Sequence, residues 1–206
     1  MFNKSNYLTY LLLGIALFGY VLPWILISTN PMSLGAYDLA EWSSLHPSQP
    51  TSSPPMLVPL LLRLQLVIIS TLIALHTHTI LQRWIGLCVI ALLAVAQLPP
   101  LEFLTIARDN INYQQQFMLA TTSLVIGSGL IMRNPKQWQP IITIILLSIG
   151  IISSISGLQH AQELYTLSLQ EHTIGSGLIV TVGAYIVMLL SNGIRFTKSI
   201  RGNKTR

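Results

Sequence analysis

The chain carries very little charge. Only 8% of its 206 residues are Asp, Glu, Lys or Arg, while 51% are hydrophobic, and the mean hydropathy is +0.62. A soluble domain has about 25% charged residues. The deficit excludes an ordinary soluble protein and indicates that lipid is the solvent of this chain. The net charge of +5 is explained by basic residues that flank the membrane spans on one side, so we expect no nucleic-acid partner.

Cysteine and catalytic motifs are scarce as well. The single cysteine, Cys88, lies inside an apolar run, cannot form an intrachain disulfide, and is predicted to be a buried, inert thiol. The sequence has no HExxH, CxxC, GxSxG or Walker glycine loop. We therefore predict no catalytic residue and no metal site. The first apolar run is longer than a signal-peptide core and no small-residue cleavage site follows it, which predicts a retained helix.

What the chain does have is a series of apolar runs. A bilayer core needs about 20 helical residues, with about 17 as the lower end. The runs predict one all-α, polytopic domain over residues 1–206 with six spans: 7–28, 56–75, 84–98, 117–132, 138–156 and 173–191. The third and fourth runs are short, so tilt or flanking turns would have to make up the length. Four spans plus two re-entrant segments are the alternative.

The basic residues are distributed unevenly around these spans. With the N-terminus in the cytoplasm, nine of the eleven fall on the cytoplasmic side: Lys4, Arg83, Arg133, Lys136, Arg195, Lys198, Arg201, Lys204 and Arg206. All six acids then fall outside: Asp38, Glu41, Glu102, Asp109, Glu163 and Glu171. Both termini are therefore predicted to be cytoplasmic, in a bacterial-type inner or plasma membrane. The basic tail, 194–206, can lie against anionic headgroups.

The predicted outer loop, 29–55, contains the most polar stretch of the chain, YDLAEWSSLHPSQPTSSPP. Its first part predicts a short helix at about 37–45, whose apolar residues group toward one side: Tyr37, Leu39, Trp42 and Leu45. Because Trp and Tyr favour the headgroup level, we expect an interfacial helix lying on the outer surface. A docking surface or a lid over an outer cavity is the alternative. A second amphipathic outer segment is predicted at 158–172.

Arg63 is the only charged residue inside a predicted span, about 10 Å from its outer end at 1.5 Å per residue. An intramembrane charge is by default a functional hypothesis. The structural interpretation is that Arg63 extends to the headgroups or pairs with an outer acid, the candidates being Asp38, Glu41 and Glu102. The alternative is that it anchors an anionic lipid, pigment or substrate group.

Two histidines are candidate axial ligands of a pigment or haem: His76, at the cytoplasmic end of the second span, and His172, before the sixth. A bis-histidine site is disfavoured, because His76 and His78 point away from each other on one helix. His160 and Glu163 lie one helical turn apart, but a metal would need further ligands. The cofactor, if there is one, stays unassigned.

Small residues in the spans predict close helix packing. The positions are Gly127 and Gly129 in the fourth span, and Gly175, Gly177 and Gly183 in the sixth.

Three functions fit this pattern. Because the spans contain almost no ionisable groups, we expect a non-catalytic accessory or assembly subunit of a larger membrane complex, of respiratory or light-harvesting type, in contact with lipids and other membrane-protein subunits. A small carrier, channel or permease component is the main alternative, with a thin polar lining: Arg63, Gln65, Ser70, Thr121, Thr122, Ser123, Thr143 and Ser148. An interfacial lipid-modifying enzyme is less favoured, and would gather these residues around one outer pocket: Glu41, His46, Glu163 and His172.

Overall fold

The chain folds into a helical bundle with a small sheet at one end. The computed structural model describes residues 4–27, 32–133, 137–167 and 172–203, and the side chains of 7–27, 32–133, 137–166 and 172–194. The α-helices within these ranges are α1 Lys4–Val21, α2 Ala36–Ser44, α3 Leu57–His76, α4 Ile80–Val95, α5 Ile111–Arg133, α6 Gln139–Leu167 and α7 Ser176–Asn203. A 3₁₀ helix, Leu101–Leu104, lies between α4 and α5. The basic side chains of the predicted tail, from 195 onward, lie outside the described residues.

Four helices are long and apolar enough to cross a membrane: Leu57–His76, Ile111–Arg133, Gln139–Thr166 and Ser176–Ile194. Two further apolar helices are shorter, Tyr7–Val21 and Ile80–Val95. The prediction of a mostly helical chain with helices able to span a membrane is confirmed to this extent. The fourth apolar run is part of a helix of 23 residues, so the length deficit that the run suggested does not exist.

The central helix of the bundle is α3. Of the residues in its apolar window 72% are buried, and it packs against α1, α2, α4, α5 and α6. A helix that is apolar on all sides is expected to be buried on all sides. α7 packs against α1 and α6. α2, the sheet and the first turns of α3 and α5 lie at one end of the bundle, the sheet end, where Arg63 contacts Glu41 and Gln115 contacts Met56. The last turn of α3 and the connection to α4 lie at the opposite end, where Tyr10 of α1 bonds to His76.

The predicted all-α architecture needs one correction. Three short strands form an antiparallel sheet in the order β2-β1-β3: β1 Ile25–Ile27, β2 Met32–Leu34 and β3 His172–Ile174. The first helix ends at Val21 and not near residue 28, because Pro23 cannot continue it. The residues that follow alternate between buried and exposed, as a strand requires. β3 likewise replaces the first residues of the predicted sixth span, and α7 begins at Ser176.

The helix predicted at about 37–45 is present as α2, but it does not lie on the outer surface. Leu39 and Ala40 are fully buried, and α2 packs against α3, α1 and α6. The ring of Trp42 stacks on Tyr165 of α6, with centroids 3.8 Å apart. Leu45 is 82% exposed and does not share the buried face with Leu39. Tyr37 and Trp42 are half-buried, so α2 is part of the bundle.

Two further expectations change. The predicted fifth span and the amphipathic segment after it form one helix, α6, of 29 residues, so the segment 158–167 extends the bundle instead of lying across its surface. Cys88 is exposed and not buried, because it points away from the side of α4 that packs on its neighbours.

Candidate functional site

Arg63 is the centre of a buried polar cluster at the sheet end. Its side chain is fully buried. Nη2 of Arg63 donates to Oε1 of Glu41 at 2.7 Å, and Nη1 donates to Oδ1 of Asn112 at 2.6 Å and to Oε1 of Gln115 at 3.5 Å. An unpaired buried charge is strongly destabilising. The cluster therefore supplies the charge and the hydrogen bonds that make this position tolerable for an arginine.

Three helices bring the cluster together. α2 carries Glu41, α3 carries Arg63, and the first turns of α5 carry the amides. Gln116 donates from Nε2 to the same Oε1 of Glu41 at 2.7 Å. Gln115 donates from Nε2 to the backbone oxygen of Met56 at 3.2 Å, at the start of α3. Because each bond joins two different helices, the cluster fixes α2 and α5 against α3.

Some polar atoms in this region keep no protein partner. Nε of Arg63 and the hydroxyl of Tyr20 are buried with no hydrogen bond among the described residues. Burial, followed by the charge of Glu41, raises the pKa of Tyr37. The Glu41 side chain is 38% exposed, so the cluster reaches the surface at that carboxylate. Anchoring of an anionic group by Arg63 stays a prediction.

A second polar cluster lies deeper in the bundle around Gln65. Its Nε2 donates to Oγ of Ser153 at 2.6 Å and to the backbone oxygen of Gly150 at 3.2 Å. Its Oε1 accepts from the hydroxyl of Tyr185 at 3.0 Å. The amide thus joins α3 to α6 and α7, and all three side chains are buried.

We expect Gln65→Leu to destabilise the folded protein by about 2 kcal/mol, because it leaves the hydroxyls of Ser153 and Tyr185 buried with a lost partner. The free energy of unfolding in mixed micelles measures this. The double variant Gln65→Leu with Tyr185→Phe should lose less than the sum of the two single changes. Additive losses would show that the Gln65–Tyr185 bond does not contribute.

The two candidate haem or pigment ligands lie at opposite ends of the bundle. Nδ1 of His76 is 2.9 Å from the backbone oxygen of Leu72, and the ring of His76 is buried. His172 lies in β3, with its ring 5.7 Å from that of Tyr165. The two histidines therefore cannot ligate one group together. Ligation by either of them alone stays a prediction.

The predicted packing glycines fall into two groups. A β-carbon on Gly127 would come within 2.9 Å of Ile90, and one on Gly175 or Gly177 would overlap Pro23 and Trp24. The last two contacts are to the segment before β1 and not to another helix. Gly129 and Gly183 have no heavy atom within 4 Å of a β-carbon. These two glycines face outward and do not pack within the described chain.

Sequence reasoning missed the partners of Arg63 on α5. The signal was the amides at one-turn spacing, Asn112, Gln115 and Gln116, which place polar groups on one side of a helix at i, i+3 and i+4.

His160 and Glu163 form an exposed pair on α6, with Nδ1 of the histidine 3.0 Å from Oε2 of the glutamate. Among the described residues, no three His, Cys, Asp or Glu side chains are grouped so that they could hold a metal ion.

Comparison with known proteins gives no match to any family model, to any curated protein or to any solved structure.

Proposed function

We propose that the chain crosses the membrane six times, with both termini on the cytoplasmic side, and serves as a non-catalytic accessory or assembly subunit of a larger membrane complex. The four longer helices and the two shorter apolar ones supply the six crossings. The distribution of Lys and Arg along the sequence supports the orientation.

The observation that carries the proposal is a glycine on the outward side of α7. Gly183 has open space where a side chain would stand, and exposed apolar residues flank it at helical spacing: Ile179, Ile186, Val187 and Leu190. In membranes, helices associate through small residues that let two backbones approach closely. This side of α7, residues 179–190, is therefore suited to a helix of another subunit.

The buried polar residues support a structural role over transport. Arg63 and Gln65 were candidates for the lining of a polar path, yet both are fully buried and bonded to neighbouring helices. Ser70, Ser123 and Thr143 are also fully buried, while Thr121 is exposed on the outside of α5. Five of the eight candidate lining residues are therefore inaccessible to water in this conformation. A subunit that is held together by such bonds suits an assembly role.

The test is purification of the tagged protein from its native membrane in mild detergent, followed by native-gel sizing and identification of co-purifying proteins. We expect a large assembly for the unaltered chain and its loss in Gly183→Leu, because the added side chain separates the two helices. Leu190→Ile, which conserves volume on the same side of α7, should leave the assembly intact. A stable species of this chain alone would sink the proposal and favour the carrier alternative.

A further inference from the structure

The connection between α4 and α5 packs along the side of α5 and does not loop out beyond its end. Nε2 of Gln97 donates to Oγ of Ser123 at 3.3 Å. Six residues further along the connection, the ring of Phe103 contacts that of Phe117, with centroids 5.5 Å apart. The partner on α5 has moved back by the same six residues. The connection therefore continues the antiparallel path of α4 beside α5 as far as its 3₁₀ helix.

The length of α5 gives the level at which this segment lies. Phe117 stands 16 residues before Arg133, the last residue of α5, which is about 24 Å at 1.5 Å per residue. Placing Arg133 at one boundary of a hydrocarbon core about 30 Å thick puts Phe103 about 6 Å inside the other boundary. Gln114, about 28 Å from Arg133, donates from Nε2 to the backbone oxygen of Arg108 at 2.9 Å. Arg108 therefore lies at that second boundary.

The helix α4 does not reach this boundary by itself. Its 16 residues, Ile80–Val95, span about 24 Å, which is less than the thickness of the core, about 30 Å. The residues after Val95 keep following α5 and cover the missing length. The connection is consequently part of the crossing that α4 begins.

Three apolar side chains of the connection point away from the bundle. Leu101 is 80% exposed and Ile106 is 91% exposed, and Leu104 is more than half exposed. They lie on the lateral surface of the bundle, because the connection packs on the side of α5. At this level the lateral surface of a membrane-spanning bundle meets lipid.

The backbone of the connection is bonded within the segment. Pro99 and Pro100 have no N–H group to satisfy. Carbonyl groups of the connection or of the last turn of α4 accept from the N–H groups of Ala96, Gln97, Leu98, Phe103, Thr105, Ile106 and Ala107. A loop in water does not need these bonds, whereas backbone that is exposed to lipid must be satisfied internally. The bonding of the connection therefore suits lipid.

Charged residues limit how deep the connection lies. Glu102 is exposed and stands beside Phe103, and a charge costs most at the centre of a bilayer and less near its boundary. Arg108 and Asp109 follow where the connection reaches the boundary. This order indicates the zone where acyl chains meet headgroups, in which amphipathic segments lie about 5–10 Å deep.

We propose that the α4–α5 connection, residues 96–107, is an interfacial lipid-binding segment of the leaflet at the sheet end, with Leu101, Leu104 and Ile106 among the acyl chains. A helix of another subunit is a poorer occupant. Helices associate in membranes through small residues, whereas this segment contains no glycine and its exposed apolar side chains are bulky. The proposal rests on the membrane crossing of α4 and α5 proposed above, and not on the assembly role.

The test measures the depth of single nitroxide labels in the full-length protein, reconstituted in liposomes of phosphatidylcholine and phosphatidylglycerol. Cys88 is replaced by alanine, and one cysteine at a time is introduced as Leu101→Cys, Ile106→Cys, Leu92→Cys or Asp109→Cys. All four positions are exposed, so the substitutions should disturb the fold little. Collisions with oxygen, which concentrates among acyl chains, are compared with collisions with a water-soluble nickel chelate.

We expect the labels at 101 and 106 to collide more with oxygen than with nickel and to lie about 5–10 Å beneath the headgroups. Leu92→Cys is the reference inside the membrane, since Leu92 lies on the exposed side of α4, and Asp109→Cys is the reference in water. Nickel contact at 101 and 106 but not at 92 would place the connection in water and overturn the proposal. Nickel contact at 92 as well would refute the crossing by α4, which is a separate failure.

A second measurement identifies the occupant in the native membrane. The photoreactive amino acid p-benzoylphenylalanine is incorporated at position 106 of the full-length protein, and the adducts formed on irradiation are identified by mass spectrometry. We expect adducts with lipid acyl chains at 106. Incorporation at position 51, where Thr51 is exposed in the polar segment after α2, is the control and should give none. A protein adduct at 106 would show that a partner covers the connection, and the lipid assignment would be wrong.

Discussion

Replacing Glu41 with leucine should destabilise the folded protein by about 3 kcal/mol, because it leaves the charge of Arg63 buried without its counterion. Arg63 is fully inaccessible and its Nη2 lies 2.7 Å from the Glu41 carboxylate. This loss is the lower end of the usual range for a broken buried ion pair, because Glu41 is partly exposed and solvent screens its carboxylate. Reversible unfolding in mixed micelles measures the change.

Arg63→Leu should lower the free energy of unfolding less than Glu41→Leu does. Arg63→Leu removes the buried charge itself and leaves a carboxylate that water can reach, so we expect about 1–2 kcal/mol from the amides that lose a donor. The double variant Glu41→Leu with Arg63→Leu should be more stable than Glu41→Leu alone, since no unpaired charge remains. If Glu41→Leu and Arg63→Leu are equal and additive, the pair does not act as a unit.

Asp38→Asn is the matched control for this set. Asp38 is another acid of α2, and it is exposed; among the described residues its side chain accepts one long hydrogen bond, 3.4 Å from the backbone nitrogen of Gly35, which asparagine can also accept. A surface change of this kind should stay within about 0.5 kcal/mol. A loss in Asp38→Asn as large as in Glu41→Leu would mean that the charge of α2 as a whole, and not the contact with Arg63, holds the helix.

Replacing Gly175 with alanine should destabilise the protein by about 3 kcal/mol, at the upper end of the usual cost of overpacking. A β-carbon there would overlap the backbone oxygen of Pro23. The obstacle is backbone, so it cannot rotate away. Moving it would also strain the bond from the nitrogen of Gly175 to the oxygen of Trp24, 2.9 Å long. The free energy of unfolding, measured as above, reports the loss.

Gly183→Ala is the control for this prediction. Gly183 lies within α7 with open space around it, so alanine should be neutral or stabilise the helix by about 0.5–1 kcal/mol. If Gly175→Ala behaves like Gly183→Ala, then α7 does not begin in close contact with the segment before β1.

The sequence alone predicted the helices well where a long apolar run was the whole signal. α3 lies within one residue of the run at 56–75. The run is mostly apolar, its one proline, Pro59, stands in the first turn where a helix tolerates it, and a helix satisfies the backbone of such a run in lipid. Hydropathy also predicted that α2 exists, from its spacing of apolar residues. The ends of the helices were harder to predict. α5 begins six residues before the run at 117, because the polar amides of its first turns lower the local hydropathy.

The tertiary structure decided how these elements are used. Hydropathy placed α2 on the surface. In the structure, Glu41 pairs with the buried Arg63, 22 residues further along the chain, and the ring of Trp42 stacks on that of Tyr165. The strands form because β1 pairs with β3, about 147 residues further along the chain, and no local pattern records a pairing over that distance. The sequence by itself determined that the chain is apolar and mostly helical, since those properties depend on neighbours along the chain. The buried clusters, the sheet and the path of the α4–α5 connection along α5 depend on residues brought together by packing, so only the folded structure could decide them.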